Sequence, residues 1–326
     1  MKKIFNIFIL SIVTLFVSVT SVAAFSDVQN THENYVAIQF LTDNGIVKGY
    51  EDGTYKPEQL VNRAEALKVI LEGNNVALEE SIESVEFSDV NLDDWFTKYV
   101  MTAKLKGIVN GNPDGTFAPG RDVARAEFLK MILNTNSFVA EKWEGVQIFP
   151  DVPADAWYTA YMNYAGQAGL VAEDSYGNLG PGEPLDRGEV AEIMYILKVI
   201  LNGTDTQFLI SEAEKQMGQI DIYVGNDNPL AAKRAAELSV DMTQQAYKNM
   251  PEDTVVLGAA KLARAYDFLM NAYISGLQEQ NAEAHDWANQ AISKATEAWE
   301  TNNEVQPIAK HIKDRANEVI AQLPSS

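Results

Sequence analysis

Three arginines, Arg63, Arg125 and Arg187, recur at a constant offset of 62 residues, and each is followed two positions later by a glutamate: Glu65, Glu127 and Glu189. The apolar spacing after each arginine is helical, so each falls in the first turn of a helix, an end that mildly disfavours a cation. A single such placement is accounted for by a local Arg–Glu or Arg–Asp pair. Three in register favour an anion site, because a guanidinium fork beside free backbone N–H groups suits a carboxylate or a phosphate. That chemistry is recognition: one anionic ligand held per repeat. Signals for turnover are thin. His32, His285 and His311 are the only histidines and form no metal-binding pair. Asn110-x-Asn112-x-Asp114-Gly115 starts like a calcium loop, but Arg121 stands where the bidentate glutamate belongs, so a turn is expected. The chain is read as a non-enzyme with no cofactor and no metal.

The elements that position the arginines repeat with them. Phe25-Ser-Asp27-Val28 returns as Phe87-Ser-Asp89-Val90 and Phe149-Pro-Asp151-Val152, and Gly45, Gly107 and Gly169, Gly53, Gly115 and Gly177, and Pro57, Pro119 and Pro181 share the offset. Each copy reads as helix, turn, helix. First helices are expected near 34–44, 94–106 and 156–168, each closed by the glycine at 45, 107 or 169 as a left-handed cap. Second helices are expected from 63 to about 72, 125–134 and 187–201, with Asn62 and Asp186 as N-caps and Ala124 unable to serve as one. One copy is too small to bury its own apolar stripes, so the three must share a core.

The triple pattern Phe-x-Asp-Val, Gly-[Ile/Leu]-Val, Asp-Gly-Thr-[Tyr/Phe]-x-Pro and Arg-[Ala/Gly]-Glu resembles three consecutive S-layer homology domains, at 25–86, 87–148 and 149–203. The resemblance implies a mainly α fold, a pseudo-threefold spindle in which one helix per repeat joins a central three-helix bundle and the rest forms three prongs. It also implies non-covalent anchoring to a bacterial cell wall through a secondary wall polysaccharide carrying ketal-linked pyruvate, or a peptidoglycan-associated polymer in some diderm bacteria. By the same resemblance Arg63, Arg125 and Arg187 bind the ligand, with Asp27, Asp89 and Asp151, the aromatics Trp95 and Trp157, and the small residues Gly49 and Gly111 around them. The aspartates are equally suited to a sugar hydroxyl or to a turn or N-cap.

The copies depart from one another. Glu33 stands in the tryptophan column of the first, so Tyr35 or His32 would have to supply a ring there. Glu173 replaces Gly49 and Gly111, and Tyr176 replaces Asp52 and Asp114. A carboxylate at 173 repels an anion and fills the groove, so two working grooves are expected, with the one at Glu173 weakest.

Beyond Gly203-Thr-Asp-Thr206, read as a hinge, the stretch 204–326 is rich in Ala, Gln, Glu and Asn. Helices are expected near 207–224, 229–249, 253–275, 281–301 and 305–323, forming an antiparallel helical bundle or a pair of hairpins, with a faint likeness to a tetratricopeptide unit. This part is read as a binding or assembly module of unknown partner, or alternatively as a surface enzyme addressed by the repeats. At the other end Lys2 and Lys3, an apolar run and a small-residue site ending at Ala24 read as a signal peptide, 1–24, and no other stretch is apolar enough to span a bilayer. The net charge of −21 excludes nucleic acid, which needs a basic face, and the absence of cysteine excludes disulfides and thiolate chemistry. The expected product is an exported, acidic protein of the cell surface, wall or S-layer.

Overall fold

In a computed structural model, residues 25–143, 145 and 148–324 are described; the expected signal peptide lies outside them. The described chain is mainly helical, with eleven α-helices and only three isolated β-bridges. None of these helices is long and apolar enough to cross a membrane. The chain divides into two compact units, one of residues 25–28 and 37–197, the other of 29–36 and 198–324.

The repeat unit contains α1 (Tyr35–Asp43), whose first two residues count with the other unit, then α2 (Arg63–Gly73), α3 (Thr97–Leu105), α4 (Arg125–Thr135), α5 (Thr159–Gln167) and most of α6 (Arg187–Leu201). The first helix of each copy ends as its glycine dictates. Gly45, Gly107 and Gly169 lie at φ of +69, +70 and +70. The following N–H groups of Ile46, Ile108 and Leu170 each reach back 2.8 Å to the carbonyls of Leu41, Ala103 and Ala165. The second helices start from Asn62, which forms a full capping box with Glu65, and from Asp186, which exchanges the same pair of bonds with Glu189. Ala124 has no acceptor, and only its N–H is served, by Glu127 at 3.2 Å.

The stretches before those helices close the three copies into a ring. Val61 N–H donates to Leu185 O (3.0 Å), Leu185 N–H to Val123 O (3.1 Å), and Val123 N–H to Val61 O (2.9 Å). The shared core that the sequence demanded lies behind this ring, with Leu67, Ile70, Leu71, Phe128, Leu129, Ile132, Ala191 and Tyr195 fully buried. About 25 cal/mol is gained per Å² of apolar surface buried there, which no single copy could collect.

The helical unit is α7 (Thr206–Gly225), α8 (Pro229–Asn249), α9 (Thr254–Leu277), α10 (Asn281–Thr301) and α11 (Gln306–Gln322), close to the expected spans. Each helix packs on its sequence neighbours, and α9 also meets α7 and α11. Alanine makes this possible: Ala232, Ala236, Ala263, Ala288, Ala291, Ala295 and Ala309 have no exposed surface. The strap 29–36 belongs to this unit, tied by the Tyr223 hydroxyl near the carbonyl oxygens of His32 (3.2 Å) and Glu33 (3.1 Å). The stretch read as a hinge carries local bonds. Asp205 caps α7 through Phe208 N–H, and Gly203 O accepts from Asn249 Nδ2 at 2.6 Å.

Candidate functional site

The amides expected to be free at the second-helix N-termini are not free. Arg63 and Ala64 donate to the carbonyls of Arg121 and Pro119, Arg125 and Ala126 to Glu183 and Pro181, and Arg187 and Gly188 to Gln59 and Pro57, all at 2.8–3.1 Å. They are consumed in closing the ring, because each helix start abuts a loop of another copy. Any anion recognition therefore falls to side chains.

Each arginine side chain reaches across the same junction. Arg63 Nε donates to Phe117 O (3.0 Å), Arg125 Nη1 to Leu179 O (2.6 Å), and Arg187 Nε to Tyr55 O (2.7 Å). Those acceptors form a column of their own, 62 apart. The local pair with the glutamate two residues on does not form; the carboxylate comes from a different copy. Arg63 pairs with Glu127 at 3.1 Å, and Arg125 with Glu189 at 2.7 Å and Glu183 at 2.9 Å. Burial pulls the Arg63 pKa down, and the Glu127 charge opposes it. Burial pushes Glu127 up, but hydrogen bonding from Arg121 and the charge of Arg63 outweigh it and hold the carboxyl below its usual range. Arg187 has the tyrosines instead: its guanidinium lies 4.4 Å from the Tyr55 ring centroid and 5.1 Å from that of Tyr50. Burial pushes the Tyr55 hydroxyl up to about 12, with Arg187 opposing.

The aspartates sit behind the acceptor column. Asp27 accepts from Tyr55 and Lys56 N–H (2.8 and 2.7 Å), Asp89 from Phe117 and Ala118 (2.7 Å each), and Asp151 from Leu179 and Gly180 (3.0 and 2.7 Å). The second residue of each pair is left-handed, at φ of 58, 59 and 59°, so in this structure the carboxylates hold the turn that presents the carbonyl to arginine. Gly49 and Gly111 also have a packing reason: a Cβ at either would collide with the ring of Phe25 or Phe87. In the third copy Glu173 takes that place, and the Phe149 ring lies against Gly166. The loop that resembled a calcium site is a turn, with Asp114 Oδ1 accepting from Thr116 N–H at 3.0 Å. Among the described residues no group of His, Asp and Glu is placed to hold a metal ion.

Trp95 and Trp157 are each 55% exposed. A lysine from the preceding copy lies over each indole, Lys68 at 5.8 Å and Lys130 at 5.1 Å. Each lysine stands five residues after an arginine on the same helix, a rise of about 7.5 Å. Aromatic face and guanidinium thus share a junction without touching. Sequence reasoning missed these lysines, although Lys68, Lys130 and Glu192 form a column that mirrors Trp95, Trp157 and Glu33. Tyr35 and His32, the rings expected for the first copy, count with the helical unit, and the exposed ring beside Arg187 is Tyr50.

The S-layer homology domain model matches residues 24–67, 86–129 and 148–191. The repeat unit is built of three S-layer homology domains. Cell surface glycoprotein 1 of Acetivibrio thermocellus is 31% identical over 148 residues, 42% of this chain and 6% of that protein. The cellulosome-anchoring protein of the same organism is 31% identical over 145 residues, 43% of this chain and 31% of that one. S-layer protein EA1 of Bacillus anthracis is 27% identical over 173 residues, 52% of this chain and 20% of its own length. The chain thus matches less than a third of each of these relatives. A chain carrying three such domains is a cell-surface protein.

Proposed function

We propose that the protein is held non-covalently at the bacterial cell wall by its three S-layer homology domains, which grip an anionic secondary wall polysaccharide at the junctions between copies. The observation that supports this is the repeated pairing of an exposed ring with a cation: Trp95 with Lys68, Trp157 with Lys130, and Tyr50 with Arg187. A flat ring receives the apolar face of a sugar, and the cation receives its acid group. Asp27, Asp89 and Asp151 position the loops around Arg63, Arg125 and Arg187, and Gly49 and Gly111 keep their two grooves open. The groove at Glu173 is the weakest, because Glu183 and Glu189 already clasp Arg125.

Protein and polymer are both acidic, so long-range attraction does not drive the encounter; local pockets and their linkage do. The helical unit acts as a binding or assembly module displayed by the anchor, a reading supported by its chain of neighbour-packed helices. Co-sedimentation with native walls and with walls stripped of secondary polymer tests the anchor. Binding to native walls alone is expected; equal binding to both would move the ligand to peptidoglycan, and no binding would end the reading.

A further inference from the structure

Asparagine is followed by glycine three times, at Asn44-Gly45, Asn110-Gly111 and Asn202-Gly203. Such a step is chemically labile, because glycine has no side chain to keep its amide nitrogen from the asparagine Cγ, and their union closes a five-membered ring. The fold treats the three steps differently. Asn44 Nδ2 donates to Phe40 O at 2.8 Å and Gly45 N–H to Thr42 O at 2.9 Å. Asn202 Nδ2 donates to Lys198 O at 2.8 Å and Gly203 N–H to Ile200 O at 3.1 Å. Both steps end a helix, with the side chain folded back on the preceding turn. Asn110 is exposed, and neither its side chain nor the Gly111 N–H has a hydrogen-bond partner among the described residues. The course of the chain explains this. Ile108 and Val109 N–H reach back to Ala103 O, and pairing across the next turn resumes only at Asn112, which donates to Thr116 O at 2.8 Å. Between them Gly111 lies at φ +78, with the Phe87 ring where a Cβ would stand, so packing itself requires the glycine. Lys48 and Ala172 occupy the column of Asn110 in the other copies, which leaves the exposed step to the second copy.

We infer that Asn110-Gly111 is a self-modification site, where the chain converts its own amide to an acid with water as the co-reactant. The Gly111 nitrogen loses its proton to solvent base and bonds to Asn110 Cγ. The Cγ–Nδ2 bond breaks, and ammonia leaves with a proton, closing a succinimide. Water then opens either carbonyl–nitrogen bond of that ring, giving aspartate or isoaspartate. One amide and one water are consumed; one carboxylate and one ammonium ion are formed. The new charge arises beside the second groove. Gly111 lies against Phe87, the Phe87 and Phe117 ring centroids are 5.6 Å apart, and the Arg63 guanidinium lies 4.7 Å from the Phe117 centroid. A carboxylate at 110 gives this copy what Glu173, in the column of Gly111, already gives the third. It repels an acidic polymer, so the grip of this groove weakens as the protein ages. That consequence, unlike the chemistry, rests on the wall-anchoring reading.

Peptide mass spectrometry on the folded full chain, held at mildly alkaline pH and quenched in acid at intervals, reads the conversion at all three asparagines. Asn110 is expected to convert about tenfold faster than Asn44 and Asn202, where hydrogen bonds must break before the ring closes. The same chain in urea is expected to convert all three at similar rates. Equal rates in the folded protein, or a ranking that persists unchanged in urea, would overturn the assignment. Wall sedimentation reads the consequence. Asn110→Asp is expected to bind native walls about threefold more weakly than fresh wild type. Asn110→Gln, which keeps an amide but needs a larger ring, is expected to hold its binding through the incubation while wild type declines. A folded Asn110→Asp protein that binds as wild type does would sink the weakening. A fresh wild type that binds no walls would sink the anchoring reading, and the mass measurement still decides the site.

Discussion

The two units of this chain are held together by different means. The repeat unit adds to its shared apolar core polar contacts between distant residues: aspartates hold turns 28 residues away, and arginines reach carbonyl oxygens in another copy, 54 residues away for Arg63 and 132 for Arg187. The helical unit depends on small side chains packing between helices that follow one another in sequence, with Ala284, Ala288, Ala291, Ala295 and Ala298 of α10 fully buried. The first kind of stability resides in a few specific bonds. The second is spread over many contacts of about 0.1–0.2 kcal/mol each and is lost mainly by crowding. Substitutions should therefore break the units in different ways.

The largest effect is expected from Asp89→Ala. It removes two charge-assisted bonds and leaves Ala118 unsupported at φ 59°, for a loss of about 4 kcal/mol. Thermal unfolding followed by domain-specific proteolysis should show the repeat unit failing while residues 206–322 stay resistant; equal failure of both would show that the units do not unfold separately. Next is Arg63→Gln, expected to cost about 2 kcal/mol: Glu127 keeps Arg121, but the buried guanidinium and its bond to Phe117 O are lost. Arg187→Gln should cost under about 1 kcal/mol, since no carboxylate is orphaned. Urea titration of the two variants checks the ranking, and equal losses would erase the difference drawn between the junctions.

Ala291→Leu should cost about 2 kcal/mol by overpacking, seen as an earlier loss of helical signal in the alanine-rich unit alone. The smallest effect is on acid stability. Glu127 and Asp221 are both held below their usual ranges. Glu127 is lowered by Arg121 and Arg63 despite burial, and Asp221 by His311 and Arg315 despite burial. Folding then releases protons, so their contribution is complete above the unfolded values near 4 and fades as pH falls through the lower folded ones. Glu127→Gln should flatten the acid limb of the repeat unit, and Asp221→Asn that of the helical unit. A limb unchanged in either would remove that pair from the account.

Much of the fold was legible because it repeats. Gly45, Gly107 and Gly169 ended three helices, and Asn62 began one, through side-chain and backbone chemistry confined to a few residues. The helical unit was legible through breaks such as Asn228-Pro229 and Asp253, which act as local N-caps. The three arginines were identifiable as an unusual column, but their partners were not. A carboxylate two residues away in sequence proved irrelevant, while one 64 residues away formed the pair. The strap 29–36 was equally hidden, since nothing in its own residues announces that Tyr223 will hold it.

By itself the sequence determined the repeat, the helix limits, the acidic character and the three S-layer homology domains, because each depends on residue type at short range or on periodic recurrence. The tertiary structure decided which of three equivalent arginines remains without a counter-ion. Charge neutralisation depends on distances of about 3–4 Å between residues brought together only when the ring closes.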